Sequence, residues 1–140
     1  MTSSKLENLA RIGKLKREQV SLKEFGGLLT SARRRLDDAR NPTLRVESRF
    51  DLAYNASHAL ALAALRWHGY RSENRYLVFQ CLEETAGLRP EQWRVLAICH
   101  DRRNDAEYRG YLEIEEQLIA DLIAIAEELA KRVAGLAREE

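Results

Sequence analysis

The constraint that governs this chain is how little in it stops a helix. Two prolines and seven glycines punctuate 140 residues. Between them apolar residues recur three and four apart, the repeat of one helical face. Leu22, Phe25, Leu29, Ala32, Leu36 and Ala39 form one such seam, and Leu118, Leu122, Ile125, Leu129, Val133 and Leu136 form another. No stretch alternates at period two for long enough to make a strand. The expected fold is all-α: an antiparallel up-and-down helical bundle of four core helices, with an extra N-terminal helix and a short inserted helix. One domain is expected over 1–140, with 1–20 as an N-terminal helical appendage and 21–138 as the core bundle.

Local signals set the expected boundaries. Ser4 with Glu7, and Ser21 with Glu24, have capping-box spacing, and Val20 and Phe25 stand where a hydrophobic staple would hold the second entry. Asn41-Pro42 is expected to close one helix and open the next, with asparagine as N-cap. That next helix carries Phe50, Ala53, Tyr54, Ser57, Ala61 and Ala64 along one side and ends at Gly69. Its many alanines allow close helix–helix approach, which suits the centre of a bundle. Ser72 is expected to cap a shorter helix ending at Gly87; Pro90 opens another that breaks near Gly110.

Composition excludes several functions. With 45% apolar and 32% charged residues the chain is globular, and a net charge of +1 gives no overall attraction to nucleic acid. The charge is uneven, though. Lys14, Lys16, Arg17, Arg33, Arg34, Arg35, Arg40, Arg45 and Arg49 make the first third basic, while Glu113, Glu115, Glu116, Asp121, Glu127, Glu128, Glu139 and Glu140 make the last third acidic. Two uses fit that division: solvated helix faces that attract weakly across the bundle, or a basic surface for a phosphate backbone. In the Arg33–Arg35 run, pairing with Asp37 and Asp38 one turn on is the simpler account. Cys81 and Cys99 lack metal-ligand spacing and are expected to be reduced core thiols. The opening MTSSKLENLARIGK is charged and amphipathic, and no apolar run is long enough to span a bilayer, so a cytoplasmic protein without a membrane partner is expected. HExxH, GxxxxGK and GxSxG are absent, and neither a metal site nor a cofactor is expected.

One segment stands apart: AICHDRRNDAEYRGYL, from Ala97 to Leu112. Trp93, Leu96 and Ala97 begin an apolar stripe, and His100, Asn104 and Tyr108 continue it, with Arg103 and Glu107 alongside. Burying such groups costs roughly 1–3 kcal/mol for each left unsatisfied, so the segment builds either a bundle-end network or a site. Arg103 and Glu107 also have the spacing of an ordinary helix ion pair. Asp51, Asn55 and His58 share a stripe of the alanine-rich helix, with Asp51 and His58 as further candidates to face the same cleft or as a surface stripe and a core histidine. His68, just before Gly69, suits a helix C-terminus.

RNDAEYRGY, from Arg103 to Tyr111, in a bundle of these helix lengths, resembles the HEPN superfamily of small helical proteins. That family's signature is arginine, usually followed by a polar residue such as asparagine, then histidine after a short spacer. Arg103 and Asn104 match its first positions, and Tyr108 stands where the shortest spacing would put histidine. The resemblance implies a homodimer with two motifs facing across a cleft. It also implies binding of RNA or a nucleotide phosphate, in a toxin–antitoxin or RNA-processing setting. Its catalytic members look like metal-independent endoribonucleases; others are non-catalytic partners of a nucleotidyltransferase. In such chemistry a guanidinium offers forked donors to the phosphate, and imidazole exchanges protons at neutral pH. Tyrosine, titrating near ~10, is a poor base at pH 7, so the replacement implies weak or lost ribonuclease activity. His100, one turn before Arg103, is the candidate replacement imidazole. The expected site is therefore Arg103, Tyr108 and His100 for catalysis, and Arg103, Asn104, Glu107 and Tyr108 for ligand binding, with no metal. The competing expectation is a non-catalytic bundle that binds a protein partner.

Overall fold

The computed structural model describes residues 4–111 and 113–138; residues 1–3, 112, 139 and 140, including two carboxylates of the acidic third, lie outside them. The described residues form α1 (Ser4–Arg11), β1 (Lys16–Arg17), α2 (Leu22–Ala39), α3 (Val46–Trp67), β2 (Tyr70–Arg71), α4 (Arg75–Gln80), α5 (Leu82–Thr85), α6 (Pro90–Arg109) and α7 (Glu116–Arg138). The protein is an all-α helical bundle. α3 is its axis, packing against α2 and α7 and, through its other side, against α4, α5 and α6. The alanine-rich stripe makes this possible: Ala53, Ala56, Ala61, Ala63 and Ala64 are fully buried, together with Phe50, Tyr54 and Ser57. The α2 seam enters the core from Phe25 onward, whereas Leu22 is exposed. On α7, Leu118, Leu122, Leu129 and Val133 are buried, with Ile125 and Leu136 packed against their edge.

Several boundaries follow local chemistry. The Ser21 hydroxyl accepts from the Glu24 amide at 3.1 Å, capping α2. The Glu24 carboxylate does not return the bond; it is taken by Arg66 and Arg71. Pro90 occupies the first turn of α6, where the Arg89 amide is satisfied by the Gln92 side chain at 3.0 Å. Gly110 ends α6 with φ +78°, a left-handed conformation that a side chain would strain.

Four expectations require correction. Asn41 does not cap α3, which starts at Val46; its side chain accepts from the Thr43 amide and hydroxyl, and that tight turn reverses the chain before a helix can begin. The shorter helix is capped by Asn74, with Ser72 supporting the Asn74 amide, and Cys81 splits it into α4 and α5. A two-residue antiparallel ladder exists, Lys16 against Arg71 and Arg17 against Tyr70, tying the N-terminal segment to the end of α3. It is too short to carry a period-two pattern. The expected Arg33–Asp37 pairing is replaced by Arg40, which binds Asp37 at 2.6 Å and reaches Glu127 of α7 at 3.0 Å.

Both cysteines are buried and free. Burial pushes the Cys81 thiol up to about 11 and the Cys99 thiol up to about 12. Neither is a thiolate near neutral pH, so the native protein should resist a thiol-specific chromogenic reagent at pH 8 and react with two equivalents once denatured. Fast labelling of the native chain would contradict this burial.

Candidate functional site

Polar groups from α3, α4 and α6 converge around one ring. Tyr54 is fully buried on α3. Its Oη lies 2.9 Å from Nδ1 of His100, and Nε2 of His100 lies 3.1 Å from Nδ2 of Asn104, one turn further along α6. With the amide donating to Nε2, the neutral imidazole carries its proton on Nδ1 and donates it to the tyrosine oxygen. Burial lowers the His100 pKa, and the positive charges of Arg75 and Arg103 act in the same direction against Asp101. Burial likewise raises the Tyr54 phenol.

Two guanidiniums lie over that phenol. Arg103 Cζ is 5.4 Å from the centroid of Tyr54 and Arg75 Cζ is 5.6 Å from it, within cation–π range. Arg103 is 31% exposed and pairs with the exposed Glu107 carboxylate at 3.2 Å. Its guanidinium lines a cleft of about 200 Å³ shared with Glu47, Asp51, Gly110 and Tyr111. Arg75 donates to Asn55 Oδ1 at 3.2 Å, and Asn55 is itself held by the Asp51 carbonyl at 2.9 Å. Beneath them His58 packs edge-on against Phe79, its Nε2 shut off from solvent and lacking a hydrogen-bond partner among the described residues.

The sequence-derived candidates therefore separate. His100, Asn104 and Arg103 come together on Tyr54. Glu107 joins only as the counter-ion of Arg103. Tyr108 does not continue the buried stripe: it is 89% exposed, because α6 runs past its neighbours and nearly every residue from Asp105 onward faces solvent. Asp51 faces the Arg103 cleft, but His58 packs inside the bundle instead. Trp93 is half-buried, its indole N–H donating to Glu83 at 2.7 Å. His68 bonds the Thr85 carbonyl at 3.0 Å, far along α3 from Arg103.

Compared with known proteins, the chain matches no family model and no curated protein.

Sequence reasoning missed Tyr54, Asn55 and Arg75 as members of this cluster. Tyr54 reads as core by its spacing, and Arg75 reads as an ordinary residue of a short helix. The available signal was chemical: a phenol and an amide side by side within an alanine-rich run. A larger concavity, of about 540 Å³, lies at the opposite end of α3 beside Glu7, Arg17, His68 and Tyr70. Its polar groups already satisfy one another, since Glu7 accepts from both Arg17 and Tyr70. It is the seam of the N-terminal segment. No group of three or more histidine, cysteine or acidic residues among the described residues is arranged to hold a metal, and no described helix is long and apolar enough to cross a membrane.

Proposed function

We propose that this chain is a HEPN-like protein that binds RNA or a nucleotide phosphate at the Arg103 cluster, as a toxin–antitoxin or RNA-processing component. The observation that carries the reading is Arg103 itself: partly exposed, braced on the Tyr54 ring, next in sequence to Asn104, and open to a cleft it shares with Glu47, Asp51 and Tyr111. In this reading the guanidinium neutralises phosphate, Asn104 turns its amide toward the ligand, and Tyr108, free in solvent, contacts ribose or base. Glu107 is the counter-ion that the phosphate displaces.

Weak or lost ribonuclease activity is part of the proposal. Both ring nitrogens of His100 are engaged within the subunit, so the imidazole must leave Tyr54 or Asn104 before it accepts a ribose proton. The family resemblance adds a homodimer with the two α6 ends facing each other. A second reading, a non-catalytic partner of another protein such as a nucleotidyltransferase, is favoured by the exposure of Ile98, Tyr108 and Tyr111 along the same region.

Binding of a labelled single-stranded RNA, followed by fluorescence anisotropy, separates the readings. Arg103→Ala is expected to weaken binding about tenfold, the usual size of a lost charge-assisted phosphate contact, with little or no RNA cleavage in EDTA by either protein. Equal affinity of the two proteins, or none in the wild type, removes the nucleic-acid reading and leaves the interaction module.

A further inference from the structure

Two like charges on one buried ring need an explanation. Arg75 and Arg103 both reach Tyr54, and their repulsion is strengthened where water is excluded. Glu107 offsets Arg103. Arg75 has no carboxylate within ion-pair distance among the described residues; it donates to the neutral Asn55 amide oxygen and also lies within hydrogen-bonding reach of the Tyr54 phenol. Both neighbouring imidazoles, His58 and His100, are kept neutral by burial and by these same cations, so neither adds nor removes charge at pH 7. Glu47 and Asp51 line the cleft on the Arg103 side, so the guanidinium without an ion-paired carboxylate is Arg75, held in place by Asn55.

Beside it lies an aromatic surface. Tyr76, the residue after Arg75, is 38% exposed, with its ring centroid 6.1 Å from His100 and tilted by 58° to it. An exposed ring next to a forked cation is the pairing that binds an unstacked base and its phosphate: the ring takes the π-face and the guanidinium takes two phosphate oxygens.

We infer that Arg75 is a second phosphate-binding residue of the Arg103 site and that Tyr76 is its base-stacking surface, so that the ligand is a single-stranded segment of nucleic acid. The inference rests on the proposed nucleic-acid reading and goes beyond it by adding a helix, α4, outside the motif-bearing segment and by choosing single strand over duplex. In a duplex the base faces are stacked on each other and unavailable to Tyr76.

The test is a salt series of anisotropy titrations with a labelled oligoadenylate, alongside thermal melts of every variant. Arg75→Gln keeps a donor for Asn55 and so preserves the local fold. It is expected to bind about tenfold more weakly, with the slope of log affinity against log salt reduced by roughly 0.7, one phosphate contact on a single strand. Arg75→Lys keeps the charge without the fork; it should be intermediate in affinity with the wild-type slope. Tyr76→Ala should lose about tenfold while Tyr76→Phe stays near wild type, and the same strand annealed to its complement should bind more weakly. Wild-type affinity and slope in Arg75→Gln, where Arg103→Ala has lost binding, overturns this inference and leaves the Arg103 reading standing. Equal losses in Arg75→Gln and Arg75→Lys at unchanged slope also overturn it, because packing alone then accounts for Arg75. Unchanged binding by Tyr76→Ala, or equal binding of duplex, overturns the stacking surface. A wild type that binds no strand at all overturns both readings together.

Discussion

Replacing Arg66 by alanine should cost about 3–5 kcal/mol, the range for breaking a buried, fully hydrogen-bonded charge. The melting temperature should fall on the order of 10 °C. Arg66 is 2% exposed at the end of α3. Its Nε donates to Glu24 at 2.6 Å, Nη2 to the Gln19 carbonyl at 2.6 Å, and Nη1 to the carbonyls of Glu18 at 3.0 Å and Tyr70 at 3.4 Å. One guanidinium therefore fastens the segment entering α2 to the chain leaving α3. Alanine leaves those carbonyls without their donor and fills none of the space. Lysine should recover only part of the loss, since one ammonium cannot reproduce the fork. Arg17→Ala is the control: its pair with Glu7 is exposed and hydrated, so the melt should barely move. If Arg66→Ala melts with Arg17→Ala, the clamp is not what holds this segment.

Between pH 7 and pH 5 the protein should lose about 2 kcal/mol of stability through His58 alone. Burial against Phe79 lowers its pKa from 6.5 to about 4, reinforced by the positive charges of Arg75 and Arg103. The sign is fixed by proton counting. Between about pH 6.5 and 4 the unfolded chain takes up a proton that the native chain refuses, so stability rises with pH across that window. The contribution is complete above pH 6.5 and is lost as pH falls toward 4. Glu24, held below the usual carboxylate range by its hydrogen bonds to Arg66 and Arg71, and Glu18, held down by Arg71, stay ionised there. Their contribution is lost from about pH 4.5, where the unfolded carboxylates begin to protonate, down through their lowered native values, so it overlaps only the bottom of the His58 window and lies below the pH 7-to-5 interval. Urea melts at pH 7 and pH 5 check the claim. His58→Leu should flatten most of the dependence, and a slope identical to wild type would sink the assignment.

Much of the bundle was legible because helix signals are local. Ser21 caps α2 through a residue three positions away, Pro90 opens α6 and Gly110 closes it, all readable from immediate neighbours. The Phe50-to-Ala64 stripe was legible for the same reason: period decides which side of a helix is buried, whatever it packs against. Asn41 was misread because the same asparagine that caps a helix also folds a turn, and the choice depends on where the chain must go next. Tyr108 was misread because periodicity says which face a residue is on but not where the neighbouring helix stops.

The site divides along the same line. His100, Arg103 and Asn104 lie within about one turn of helix and could be found together by spacing. Arg75 and Asn55 could not, because their meeting depends on how α4 lies across α3 and α6. Arg66 left one trace, as the one formally charged residue in the run from Leu52 to Tyr70. Its partners lie more than forty positions earlier, apart from Tyr70. Sequence alone determined the helices, their buried faces and the arginine–asparagine step, since each follows from bonds and contacts within a few residues. Only the tertiary structure decided which distant carbonyls hold Arg66 and which second cation shares the Tyr54 ring. Those contacts arise from helices meeting in space, and a one-dimensional period carries no record of the meeting.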